Sequence, residues 1–249
     1  MSTSRSSRSV NLLDGVTATT ASVAVLQKEP EAPAAAAESI IKEQVVKSRL
    51  RVKAYGEVFT PRHMVDRMLD LVSDDLETGP GFVDKTFLEP AAGDGNFLVA
   101  ILHRKVSAIE KRLPLEHWPE ASLFALASIY GIELLKDNHQ DAKKAMLAEF
   151  VHFHQAHGVP CGRNTRLYRA AAFLIDTNIV RGDTLTGLGW DGQEIQFSWW
   201  NRIANAPGMV QREPFTLTSL RNDAFDFADY DRYQPCRIDK VYEEATIDA

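Results

Sequence analysis

The stretch from residue 87 to residue 98 constrains the fold more than any other part of the chain. A short apolar segment ends at Glu89, a loop of small residues follows, and a helical pattern begins near Asn96. Because glycine adopts positive φ without a steric penalty, Gly93 and Gly95 permit a tight turn and let a ligand approach the backbone. The free N–H groups and the dipole of the new helix point toward that turn. The stretch therefore predicts a strand–loop–helix unit with a ligand site at its loop.

Helices and short buried strands alternate on both sides of this loop. The apolar spacing predicts helices over residues 61–72, 96–111, 137–154 and 165–174. Strands are predicted at 86–89, at 129–133, where residues 123–126 lead into the strand, and at 178–183. This order is typical of an α/β fold with a mostly parallel, doubly wound sheet. Residues 193–200 alternate as a further strand does, and residues 215–220 are compatible with an edge strand.

The chain divides into four predicted parts. Residues 1–37 are rich in Ser, Thr and Ala and predict a disordered tail, and residues 38–53 predict an N-terminal helix. Residues 54–200 form the main domain and 201–249 a C-terminal extension, whose acidic aromatic end we expect to be ordered only against a partner. The basic side chains of the N-terminal helix indicate either an arm that contacts a partner or DNA, or, more simply, a solvated face. They are Lys47, Arg49, Arg51 and Lys53.

Composition limits the classes of function. The formal net charge of −6 argues against binding nucleic acid by bulk electrostatics, although a local basic face or a separate subunit can supply phosphate contacts. Cys161 and Cys236 form no metal-spaced pair and no disulfide framework, which fits a cytoplasmic protein; an organelle transit peptide remains an alternative. No apolar run reaches the length of a membrane span. The spacing of His152, His154 and His157 near Cys161 matches no standard zinc pattern, so no metal is predicted.

Acidic residues stand where two further predicted strands end. A carboxylate at Glu133 can accept hydrogen bonds from both ribose hydroxyls of an adenosine cofactor, as the ribose-binding acid does in dinucleotide folds. Asp183 can accept a hydrogen bond from the adenine amino group. The dinucleotide fingerprint requires a third glycine where this chain has Leu98. With Glu89, the two acids would lie at the ends of adjacent strands and favour an adenosine-containing ligand.

Four segments resemble, in order and spacing, the cofactor-binding half of adenine-specific DNA methyltransferases, above all the methylation subunits of type I restriction–modification systems. They are residues 56–61 (GEVFTP), 87–98, 130–133 and 182–183. The resemblance covers residues 54–186. It implies a Rossmann-like class I S-adenosylmethionine-dependent methyltransferase fold, S-adenosyl-L-methionine as cofactor, and methyl transfer to an adenine amino nitrogen.

The same resemblance implies which residues hold the cofactor. Thr60 and Pro61 would help to bind the methionine carboxylate, Glu133 the ribose, and Asp183 the adenine. The other implied contacts lie in the loop, at Glu89, Pro90, Ala91, Gly93, Gly95, Asn96 and Phe97.

The chain departs from that family at the catalytic motif, which is Asn/Asp-Pro-Pro-Tyr/Phe. The nearest segment is Asn205-Ala-Pro-Gly208, so Asn205 is a weak catalytic candidate, and a simple loop is the more economical interpretation. Trp199 and Trp200 have rings that can stack on a base, but one of them is more simply part of the core. The residues after 186 are too few for the family's usual target recognition domain.

Three functions remain open. The first is a DNA adenine methyltransferase that contacts DNA weakly or through a specificity or methylase partner subunit. The second is a catalytically silent cofactor-binding module that acts with a partner. The third is a methyltransferase for another substrate, such as RNA or protein, because a fold alone does not define the acceptor.

Overall fold

The computed structural model describes residues 46–222, 232–244 and 246–247. Its helices are α1 (Arg49–Tyr55), α2 (Arg62–Asp70), α3 (Asn96–Arg112), α4 (Trp118–Ala127), α5 (Lys136–Ala156), α6 (Arg166–Asn178) and α7 (Leu217–Asn222). Its strands are β1 (Phe87–Glu89), β2 (Ile129–Glu133), β3 (Ile179–Asp183), β4 (Leu188–Gly189), β5 (Gln196–Arg202), β6 (Met209–Thr216), β7 (Arg232–Tyr233), β8 (Cys236–Arg237) and β9 (Thr246–Ile247). A π-helical turn covers Asp74–Thr78, and 3₁₀ turns cover Leu115–His117 and Ile238–Glu243.

The central sheet has the strand order β1–β2–β3–β4. The first three strands are parallel, with Leu88 opposite Tyr130 and Ile132 opposite Val180, and β4 is antiparallel to β3. A mixed α/β fold with a mostly parallel sheet is thereby confirmed. The doubly wound arrangement is not seen among the described residues, because their strand order never reverses.

The two faces of the central sheet pack into two separate cores. Successive side chains of a strand face opposite sides of the sheet. On one side Ile129 packs in the larger core with residues of α3, α4, α5 and α6. On the other side Tyr130 and Ile132 pack against Phe197 and Phe215, which belong to the antiparallel β5–β6 hairpin. The hairpin thus covers the face on which a doubly wound fold would place further helices.

Most predicted helices are confirmed, with one correction. α3, α5 and α6 coincide with the predicted helices to within a few residues. Residues 123–126, which were expected to lead into β2, instead belong to α4. Every residue from Ala121 to Ala127 is buried, so this helix lacks the alternation of apolar and polar faces that reveals a surface helix. Residues 215–220, where an edge strand was predicted, belong to two elements. The strand β6 ends at Thr216, and the helix α7 begins at Leu217.

The N-terminal helix is shorter than predicted within the described residues. It begins at Arg49, because the Ser48 side chain accepts a hydrogen bond from the Arg51 N–H and so caps the helix. It ends at Gly56, which has φ of 67°. The predicted tail at 1–37 and the helical residues 38–45 lie outside the described residues. No helix among the described residues is long and apolar enough to cross a lipid bilayer.

The strand β5 spans Gln196–Arg202 and so includes residues on both sides of the predicted boundary between residues 200 and 201. Val210 of β6 and Ile238 and Val241 of the last 3₁₀ turn are buried in the larger core. Residues 232–244 therefore contribute side chains to the larger core. Phe225, Phe227 and Tyr230 of the acidic aromatic segment lie outside the described residues.

Candidate cofactor site

A cavity of about 440 Å³ opens where β1, β2 and β3 end. It is lined by the turns that follow these three strands, by Asn138 of α5, and by residues 55–59, which connect α1 to α2. This volume lies within the range of small-molecule sites, and the carboxyl ends of parallel strands are where α/β sheets bind ligands. The glycine loop after β1 therefore borders the cavity.

Glu133, the last residue of β2, contributes a carboxylate to the cavity lining. Its Oε2 accepts a hydrogen bond from the Gly93 N–H at 2.8 Å, and its Oε1 accepts one from the Leu135 N–H at 2.8 Å. Burial raises the pKa of this carboxyl, and the two N–H groups partly offset that rise. A carboxylate offers about four acceptor positions, so the two bonds fix its orientation and leave capacity for hydroxyl groups of a ligand.

Asp183, the last residue of β3, brings a second carboxylate to the same cavity. Its Oδ1 accepts a hydrogen bond from the Leu185 N–H at 2.8 Å. The neighbouring Thr184 hydroxyl donates to the Pro90 carbonyl, which joins the turn after β3 to the turn after β1. The turns that carry the predicted ribose and adenine contacts are therefore connected to the glycine loop.

The glycine loop has the predicted backbone conformation, and neighbouring residues pack close to both glycines. Gly93 and Gly95 have φ of 58° and 99°, which confirms the need for glycine at both positions. A Cβ at Gly95 would lie 2.9 Å from Cα of Ala142 in α5, and one at Gly93 would lie 3.2 Å from the Phe59 ring. The missing side chains thus leave room for Ala142 and for the Phe59 ring, and Gly93 also lines the cavity.

Five of the predicted cofactor residues line the cavity: Pro90, Ala91, Gly93, Glu133 and Asp183. The other six do not, and these are Thr60, Pro61, Glu89, Gly95, Asn96 and Phe97.

Several of these six residues have partners within the protein. The Thr60 carbonyl accepts a hydrogen bond from Asn96 Nδ2 at 3.4 Å, and Glu89 accepts one from the Ala91 N–H at 3.1 Å. Phe97 packs against the larger core. Pro61 is the N-cap of α2 rather than its first helical residue, because its ψ of 144° is extended.

Asn205 lies at the opposite end of the sheet from the cavity. It occupies the turn between β5 and β6 with φ of 61°. The strand β5 leads to this turn past Trp200, which donates to Asn178 just before β3, and Arg202, which pairs with Asp84 just before β1. Asn205 therefore stands at the amino ends of the parallel strands, while the glycine loop stands at their carboxyl ends.

The two tryptophans of β5 are also absent from the cavity. Trp199 is stacked on Phe215 with 4.3 Å between ring centroids, and Trp200 is buried in the larger core. Neither ring lines the cavity beside Glu133. Their packing in the hairpin explains both residues without a bound base.

Sequence reasoning missed Glu57 and Asn138, two polar residues that line the cavity. Asn138 is 1% exposed, and its Nδ2 donates to Glu57 Oε1 at 2.6 Å. One signal was present in the sequence. Asn138 stands at helical spacing with the buried Ala142, Met146 and Phe150, and a polar residue in a buried stripe needs a partner.

The charged residues that line the cavity are acidic. Three carboxylates contribute to its lining, from Glu57, Glu133 and Asp183. None of the described residues that line it is a lysine, an arginine or a histidine. Because Arg51 pairs with Glu57, the negative charge of this lining comes mainly from Glu133 and Asp183, and it favours a ligand with a positive charge near these two acids and disfavours phosphate groups.

The histidines near Cys161 have protein partners. His154 Nε2 lies 2.9 Å from Ser122 Oγ, and His157 Nε2 lies 2.9 Å from a carboxylate oxygen of Glu110. In the part of the chain that the structure describes, no group of three or more His, Cys, Asp or Glu side chains is placed to hold a metal ion.

Comparison of the chain with protein-family models, with curated proteins and with solved structures finds no significant match. The function proposed below therefore depends on the residues of this site and on the resemblance of its four sequence segments.

Proposed function

We propose that this chain binds S-adenosyl-L-methionine in the cavity, and that β1, β2 and β3 correspond to the cofactor-binding half of a Rossmann-like class I methyltransferase. One observation carries the proposal: Glu133 and Asp183, at the ends of neighbouring parallel strands, line one cavity together with the Gly93 turn. In this proposal Glu133 accepts hydrogen bonds from the ribose hydroxyls and Asp183 from the adenine amino group. Both are the roles that the sequence resemblance implies.

The charge of the lining supports this cofactor over a nucleotide. S-adenosylmethionine carries two positive groups, a sulfonium and an ammonium, and one negative carboxylate. ATP and NAD instead carry negatively charged phosphates. Phosphate sites use basic side chains or the N–H groups at a helix N-terminus. Here no described lining residue is basic, and Gly95, Asn96 and Phe97 at the start of α3 lie outside the cavity. The acidic cavity therefore suits the cationic ligand.

The reaction that the resemblance implies is methyl transfer to the amino nitrogen of adenine in DNA. The bound cofactor would supply an electrophilic methyl group, and the chain would hold it in line with the amino lone pair, which is a positioning effect. The net charge of −6 favours contact with DNA through a partner subunit.

A second candidate is a silent cofactor-binding module that acts with a partner. The position of Asn205 favours it, because the only sequence resembling the catalytic motif lies at the opposite end of the sheet from the cavity. In this alternative the chain binds the cofactor, and a partner supplies the acceptor site.

Thermal unfolding tests the binding proposal. A ligand that binds only the folded chain stabilises it by about 2.7 kcal/mol at a free concentration of about a hundred times Kd. We expect S-adenosylmethionine to raise the Tm and ATP and NAD to leave it unchanged. Asp183→Ala removes the proposed adenine acceptor and should abolish the shift. A shift with ATP that equals the shift with S-adenosylmethionine would contradict the proposal.

Transfer of a labelled methyl group separates the enzyme from the module. The chain is incubated with labelled cofactor and DNA of mixed sequence, and label in DNA is counted. Label in the DNA would establish the enzyme and eliminate the silent module. Cofactor binding without label would favour the silent module or a methyltransferase for another substrate, such as RNA or protein.

The position of Asn205 gives a separate prediction. Asn205→Gly should leave cofactor affinity unchanged within about twofold, because Asn205 is remote from the cavity and its positive φ suits glycine. Equilibrium dialysis with labelled cofactor measures this. A large loss of affinity would show that the hairpin turn contributes to the site.

A further inference from the structure

Residues 47–59, which we call the strap, contribute to one wall of the cavity. The strap contains α1 and the segment Tyr55 to Phe59. Each of the five residues of this segment lines the cavity. No residue of α1 is buried, and its Leu50 is 80% exposed. Apolar packing therefore contributes little to holding α1 in place, and another interaction must do so.

Lys47 provides the first attachment of the strap. Its Nζ donates to Asn138 Oδ1 at 2.6 Å and lies 3.0 Å from an Asp141 carboxylate oxygen and 3.3 Å from one of Asp137. All three partners belong to the first turns of α5. A single lysine therefore ties the start of the strap to the helix that follows β2.

Arg51 provides the second attachment. It donates from Nε and Nη2 to the two carboxylate oxygens of Glu57, each at 2.6 Å, and from Nη1 to Asp137 at 2.8 Å. The Arg51 guanidinium holds the pKa of Glu57 below its usual range and that of Asp137 at about 2. Glu57 lines the cavity and is buried, so this bidentate pair orients the wall as well as holding it.

The end of the strap reaches the glycine loop. Phe59 is buried, and its ring occupies the space beside Gly93. The positive charge of Lys47 also acts on Asp94 of the same loop, whose pKa it lowers against a larger rise caused by burial. Movement of the strap away from α5 would consequently uncover the loop and open the cavity.

We propose that Lys47 and Arg51 form an electrostatic latch that holds the strap over the cofactor cavity, so that retention of the ligand depends on ionic strength. The proposal rests on the proposed binding of S-adenosylmethionine to this cavity. Ion pairs at partly exposed side chains weaken when salt screens them, with a Debye length of about 10 Å at 0.1 M and about 3 Å at 1 M. Asp137 and Asp141 are about half exposed, so salt weakens this side of the latch first.

The prediction concerns the rate at which cofactor dissociates. For the wild-type chain we expect the rate to rise about tenfold between low and high salt, which corresponds to about 1.4 kcal/mol. The cofactor should dissociate rapidly from Lys47→Ala already at low salt, and the rate should respond little to added salt.

Asp141→Ala should also raise the dissociation rate, although Asp141 does not line the cavity. The double variant should show less than the sum of the two effects, because both remove one pair. Lys53→Ala, which removes an exposed lysine of the strap, is the matched control and should behave as the wild type.

Hydrogen exchange of the ligand-free chain gives an independent readout. Amides of residues 49–59 should exchange faster in Lys47→Ala than in the wild type or in Lys53→Ala, while the amides of β2 remain unchanged. Unchanged exchange in the strap together with unchanged dissociation would overturn the latch. If the wild-type chain fails to bind S-adenosylmethionine, the function proposal fails, and the exchange measurement alone decides whether the latch exists.

Discussion

Glu133→Gln is expected to weaken binding of S-adenosylmethionine about a hundredfold, although it changes one oxygen to an amide nitrogen. Both carboxylate oxygens of Glu133 accept backbone hydrogen bonds, from Gly93 and from Leu135. A glutamine must turn its NH₂ group toward one of these N–H donors, so one bond is lost and two donors face each other. Hydrogen bonds to charged groups contribute about 1.5–3 kcal/mol each, and the loss of such a bond together with weaker acceptance from the ribose gives the expected factor.

Titration of the purified variant with labelled cofactor measures this loss. Glu110→Gln is the matched control, because Glu110 is a glutamate at the far end of α3 that pairs with His157 on the surface. The control should bind as the wild type does. Equal affinity of Glu133→Gln and wild type would show that Glu133 does not contact the cofactor.

Gly95→Ala is expected to lower the free energy of unfolding by about 3 kcal/mol or more. The residue has φ of 99°, and an added Cβ would lie 2.9 Å from Cα of Ala142 and 3.1 Å from its Cβ. A left-handed backbone costs an L-residue about 1–2 kcal/mol, and overpacking costs about 1–3 kcal/mol more. The second cost arises because α5 must move away from the start of α3, and this movement displaces Asn138 and the wall that it holds.

Gly158→Ala separates the two costs. Gly158 has φ of 72°, and a Cβ there would meet no atom within 4 Å. Its substitution should cost only the backbone term of about 1–2 kcal/mol. Thermal unfolding should therefore place the Tm of Gly95→Ala several degrees below that of Gly158→Ala, at about 2–4 °C for each additional kcal/mol. Equal Tm values for the two variants would contradict a close approach of α3 and α5 at Gly95.

The parts of the fold that local sequence patterns specify were predictable. β1, β2 and β3 are short apolar segments, and each ends in the predicted acidic residue, Glu89, Glu133 or Asp183. Their helices carry apolar residues at helical spacing, and the glycines mark the turn. These signals depend on residues a few positions apart, which is why they can be read without the structure.

The parts that depend on distant pairing were not predictable. Nothing in residues 193–216 indicates that the hairpin covers Tyr130 and Ile132. The position of the hairpin depends on packing between side chains that are more than sixty residues apart in the chain. The burial of α4 on all sides likewise concealed its periodicity. The pairing of Glu57 with Asn138 required the structure as well, since 81 positions separate them.

Calorimetric titration of the full chain with S-adenosylmethionine tests the central claim most directly. The cavity predicts saturable binding of one molecule per chain, retained in the presence of excess ATP and NAD, and much weaker in Glu133→Gln. An absence of binding to the wild-type chain, or displacement of the ligand by ATP, would contradict the assignment of this cavity to S-adenosylmethionine.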